Sequence, residues 1–120
     1  MDKIKAGDLR IGNFVIDEDG DVLEIICIEK EYVWHDVNIF SQIDTIRGII
    51  LTPEILGQFG FRYCDYLSTR FRYGLSNFYI DRHKKEWHLQ GYKHYPKPLT
   101  YLHELQNLYY FITGYELEKK

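Results

Sequence analysis

Residues 101–117 read "YLHELQNLYYFITGYEL", and the spacing of their apolar positions decides the kind of fold the chain adopts. At a helical period, Tyr101, Leu102, Leu105, Leu108, Tyr109 and Ile112 fall in one stripe about 100° wide. The stripe predicts an amphipathic helix capped by Thr100, ended by Gly114 and packed on a sheet. Tyr110 falls far outside the stripe, beside His103 and Gln106, and Phe111 lies roughly opposite it. Two outcomes stay open for Phe111. Either the tail 115–120 or the segment 62–74 covers it, or it is exposed and marks a contact surface. Tyr110, Phe111 and His103 are therefore the candidate partner surface.

Working back along the chain, "KHYPKP" (93–98) reads as a loop, because its prolines fit neither a ladder nor a helix interior. Before it, "LSNFYID" (75–81) and "EWHLQGY" (86–92) flank the polar turn "RHKK" (82–85) as a β-hairpin. Phe78 and Ile80 are expected to face Trp87 and Leu89, with Tyr79, Asp81 and His88 outward. The stretch 62–74 carries no clear period. "LTPEILGQFGF" (51–61) does: Thr52 is an N-cap, Pro53 occupies the first helical position and Glu54 complements the dipole. Leu51 and Leu56 stand at hydrophobic-staple positions, and Gly60 ends the helix in a left-handed conformation.

The first fifty residues read as short strands. "NFVID" (13–17) is apolar at Phe14 and Ile16, and "EDGD" (18–21) supplies a turn. "VLEIICIEK" (22–30) is a β-branched run suited to burial on much of both faces. "EYVWHDVNIF" (31–40) alternates as one strand, with Val33, His35 and Val37 on one side, and "IDTIRGII" (43–50) supplies another. Short strands at this spacing predict an α+β fold with a small SH3-like antiparallel β-barrel or bent sheet. At 120 residues the chain is expected to be a single domain. It divides into a β part (1–50), a short helix (51–61), a hairpin region (62–98) and a C-terminal helix with its tail (99–120).

Composition narrows the function classes. Hydrophobic residues at 45% and charged residues at 28% suit a soluble globular domain rather than disorder. Cys27 and Cys64 form no close pair, so neither a zinc ribbon nor a disulfide framework is indicated. No apolar run is long enough for a membrane span, and the N-terminus lacks a signal-peptide core. A cytoplasmic location and no membrane partner are expected. Residues 1–60 carry twelve acids against five bases, and residues 61–120 carry six against ten, so the halves are −7 and +4.

Three blocks carry a family resemblance: "LRIGN" (9–13), "LTPEILGQFGF" (51–61) and "YLHELQNLYYFITGYEL" (101–117). In this order they resemble a small uncharacterised phage- and prophage-type protein family common in Bacteroidetes. Its pattern runs from L-x-I-G-N through L-T-x-E-x-L-x-x-x-G-F to H-x-L-Q-N-L-Y-F. His103, Gln106, Asn107, Leu108 and Tyr109 match the last word, although "YYF" stands where the family has one aromatic pair. The resemblance implies a cytoplasmic accessory protein of a phage or mobile element and transfers no catalytic residue.

Other constellations are weaker. Of His35, His83, His88, His94 and His103, only His83 and His88, five apart across a turn, could be joined by one acid, short of the four ligands a zinc site usually wants. No phosphate loop or nucleophile elbow is present. No metal, cofactor or catalytic residue is expected, and the chain is read as a non-enzyme. The segment 70–97 interleaves cations with rings, as single-strand binding requires. Arg72, Arg82, Lys84, Lys85, Trp87, Tyr92 and Lys93 are its candidate nucleic-acid surface. An isoelectric point near 5.9 counts against that alternative. Tyr and Trp enrichment favours a binding module for a protein partner, a second copy of the chain included.

Overall fold

The structure, a computed structural model, describes residues 4–64, 70–74, 76, 78–83, 86–89 and 97–119. Among them the chain is α+β, with three antiparallel sheets and one long helix. Where length suggests one domain, contacts divide the chain into two compact units. Unit 1 holds Met1–Ile50 and Tyr101–Glu116; unit 2 holds Leu51–Thr100 and Leu117–Lys120. No helix among the described residues is long and apolar enough to cross a membrane.

In unit 1, β1 (Phe14–Ile16), β2 (Val22–Glu24) and β6 (Arg47–Gly48) form a sheet in the order β2-β1-β6. A second sheet joins β3 (Cys27–Ile28), β4 (Tyr32–Asp36) and β5 (Ile39–Gln42) in chain order. Consecutive amides explain why the run 22–30 splits between them. Ile25 N–H bonds Asn13 C=O at 2.9 Å, whereas Ile26 N–H bonds Trp34 C=O at 2.8 Å. The chain bends there. Only Ile25 of the run is buried, and Val22, Ile26 and Cys27 face solvent, contrary to the double burial expected.

Val15 points into the aliphatic core of Ile4, Leu9, Ile25, Val33, Ile43 and Ile46, while Phe14 and Ile16 are half-buried. One further expectation is corrected in this unit. Residues 31–40 are not one strand. Asp36 pairs with Ile39 around a turn at Val37–Asn38, and the Asp36 carboxylate accepts the Val37 amide at 2.6 Å. Val37 consequently sits at a hairpin tip, 79% exposed. A 3-10 turn at Ile43–Thr45 then leads into β6. These strands close no barrel among the described residues.

Helix α2 (Leu102–Thr113) lies against β1. It starts one residue later than Thr100 would place it. Tyr101 is the N-cap, and its N–H donates to Glu104 Oε1 at 2.9 Å, so the acid at the third helical position closes the first turn. Gly114 ends the helix as expected, with φ +79° and its N–H bonded to Tyr110 C=O at 2.8 Å.

Unit 2 begins with α1 (Pro53–Gln58), where Thr52 Oγ1 accepts the Ile55 amide at 3.1 Å. Leu51 and Leu56 are buried, and Gly60 takes φ +91°. Strands β7 (Phe61–Tyr63), β8 (Arg70–Tyr73), β9 (Tyr79–His83) and β10 (Glu86–Leu89) make an antiparallel meander. The stretch without a legible period therefore supplies most of β7 and all of β8. The expected inside–outside pattern holds: Phe78, Ile80, Trp87 and Leu89 are buried, while Tyr79, Asp81 and His88 are half-buried. This core is aromatic, with Phe71 and Trp87 edge-to-face at 5.2 Å and Phe61 and Phe78 at 6.1 Å.

Candidate functional site

The polar residues of the first and last recognisable blocks bind one another within unit 1. Gln106 Nε2 donates to Gly12 C=O at 3.0 Å, and Gln106 Oε1 accepts the Phe14 amide at 2.9 Å. One side-chain amide thus ties α2 to the backbone entering β1. Beside it, the fully buried Asn13 donates from Nδ2 to Asn107 Oδ1 at 2.8 Å and accepts the Arg10 amide at 2.7 Å. Asn107 Nδ2 donates to Asp8 C=O at 2.9 Å. Arg10 completes the clamp through Nη1 to Asn107 Oδ1 at 2.8 Å and through Nη2 to the Glu116 carboxylate. Buried polar groups require such partners, and a fully paired set fixes one arrangement of the helix on the strand.

The clamp places the candidate partner residues. The Arg10 guanidinium lies 4.1 Å from the centre of the Tyr110 ring, a cation–π contact that holds the ring while leaving it 43% exposed. Phe111 is 85% exposed, so its ring faces solvent. Tyr115, just past the helix end, is also exposed. His103 is corrected: at 4% exposure it belongs to the interior. Its ring stacks on Tyr101 at 5.6 Å, and both rings crowd Gly48. A Cβ at Gly48 would stand 2.6 Å from the Tyr101 ring, so glycine is what admits the pair.

A further aromatic group covers the outer face of the second sheet. Phe40 stands directly opposite Trp34, their rings 4.9 Å apart, and meets Tyr32 at 5.1 Å. Trp34 Nε1 donates to Glu29 Oε1 at 3.1 Å. The acids of the first turn have a local task, since Asp17 Oδ1 accepts the amides of Asp19 and Asp21, both at 2.9 Å.

The candidate nucleic-acid surface does not form one face. Lys84, Lys85, Tyr92 and Lys93 lie outside the described residues. Trp87 is only 3% exposed, with Arg82 directly opposite and its guanidinium 5.3 Å from the ring centre. A ring so enclosed offers no face to a base, which corrects its assignment as a stacking platform. Arg72 projects from the other side of the sheet, paired across strands with Arg62 and Tyr79.

Sequence reading missed Arg10, Asn13 and Arg62. For Asn13 the signal was present in the word "GN", which faces the "QN" of the last block, both set inside otherwise apolar blocks. No known family model, curated protein or solved structure matches the chain.

Proposed function

We propose that the chain is a non-enzymatic binding module whose unit 1 engages a protein partner through the C-terminal end of α2. The observation that carries this reading is the exposure of Phe111 on a helix that the clamp holds in place. A single exposed aromatic needs no explanation. Here Tyr110, Phe111 and Tyr115 occur within six residues, and Arg10 fixes the first of them. Interface energy concentrates in such aromatic anchors, and rigidity lowers the entropy lost on binding. The polar residues of the recognisable words are engaged with each other, which favours a structural role for them over a catalytic one. His103 is not part of this surface.

The strand order supports an SH3-like reading of unit 1: a bent run shared by two sheets, a hairpin, then a 3-10 turn before β6 returns to β1. Together with the block resemblance, it supports a cytoplasmic accessory protein of a phage or mobile element. A photo-reactive phenylalanine analogue at position 111 tests the contact. In host lysate it is expected to yield one discrete cross-linked species, lost when Tyr110 is replaced by Ser. Cross-linking no stronger than from the exposed Glu18 position would count against the surface. A species of twice the chain's mass would identify a second copy as the partner.

A further inference from the structure

Arg62 and Arg72 are directly opposed in the β7–β8 register and project from the same side of the unit 2 sheet. Like charges in that position repel and weaken the strand pair unless something lies between them. The neighbouring Arg70 shows how this face neutralises a guanidinium: its Nε donates to Asp81 Oδ1 at 2.8 Å. Arg62 and Arg72 have no carboxylate partner among the described residues. Arg72 is nevertheless held, because its Nε donates to Gly74 C=O at 3.0 Å, leaving both terminal nitrogens available. The two arginines, with Tyr63 and Gly74, line a hollow of about 250 Å³. One water takes up roughly 30 Å³ of liquid, so the hollow has room for an oxyanion with its hydration. Unit 2 carries five acids against ten bases, a net +5 that draws anions towards it.

We infer that Arg62 and Arg72 form a binding site for a phosphate group. Guanidinium forks match tetrahedral oxyanions through paired N–H donors, and an anion between the forks turns their repulsion into attraction. The phosphate belongs either to a free small molecule or to a nucleic-acid strand. Tyr79 stands directly opposite Arg72 on its other side and would lie beside a base of a bound strand. The site is independent of the partner surface on α2.

The test titrates intact protein with inorganic phosphate, thymidine 5′-monophosphate and a short labelled oligothymidylate, at constant ionic strength set with chloride. Wild type is expected to bind at least one of them. Arg62→Gln and Arg72→Gln should each weaken that binding tenfold or more, and Arg72→Lys should weaken it less. Arg82→Gln removes the same charge from the other face and should change affinity less than twofold. Without phosphate, Arg62→Gln should melt no lower than wild type, which separates lost binding from lost folding. Oligothymidylate binding that also falls with Tyr79→Ala identifies a strand as the source; phosphate binding indifferent to Tyr79 identifies a free phosphate compound. Absence of binding to all three probes, or equal losses from Arg62→Gln and Arg82→Gln, would overturn the site.

Discussion

The two units use aromatic residues in opposite ways. Unit 1 packs a core of Ile, Leu and Val and carries rings on its surface, with Phe40 half exposed and Phe111 and Tyr115 more so. Unit 2 turns Phe59, Phe61, Phe71, Phe78 and Trp87 inward. Their charges differ as well: unit 1 has thirteen acids against five bases, a net −8, whereas unit 2 is +5. An aromatic content of 17% is thus not one property. In unit 2 it is packing, since large rings fill a meander whose strands are only three to five residues long. In unit 1 the aliphatic cluster contains no ring, Tyr109 is buried on α2, and Phe40, Tyr110, Phe111 and Tyr115 lie at the surface.

Substitutions sharpen this contrast, beginning with the largest effect. Trp87→Ala empties a buried ring site and should lower stability by about 3–5 kcal/mol in urea denaturation. A loss under about 1 kcal/mol would mean that unit 2 does not depend on its rings. Next comes the clamp. Gln106→Leu keeps the volume but withdraws a partner from Gly12 C=O and from Phe14 N–H, for a loss of about 1–3 kcal/mol per group. Unchanged stability would show that α2 is held by apolar packing alone. Gly48→Ala forces a methyl into the Tyr101 ring and should cost about 1–3 kcal/mol, read from the same denaturation curves. If Gly48→Ala were silent, the Tyr101–His103 stack would be looser than described.

Local chemistry was the legible part of the sequence. Thr52, Pro53 and Gly60 bounded α1 because each acts through its own backbone, and Gly114 ended α2 for the same reason. The buried stripe of α2 followed from its period. What stayed hidden depends on residues far apart in the chain. His103 and Gln106 look like solvent-facing polar residues until Gly48 makes room for one and the Gly12–Phe14 backbone bonds the other. The pairing of Arg62 with Arg72 was hidden because β7 has no period of its own; its register comes from β8. Asp36 at the hairpin turn was misread because β-branched alternation runs straight through Val37. Of the candidate partner surface, Tyr110 and Phe111 are exposed and His103 is interior. Of the described candidate nucleic-acid residues, Arg72 and Arg82 fall on opposite faces and Trp87 is enclosed.

The smallest expected change is the most telling. Phe111→Ser should leave the urea midpoint of the protein within about half a kcal/mol of wild type, since the ring is solvent-facing and the clamp does not use it. The substituted ring would then be a surface ring, as the division between a packed and a presenting unit requires. A loss near the ~3–5 kcal/mol typical of a buried phenylalanine would place Phe111 in a core and contradict that division.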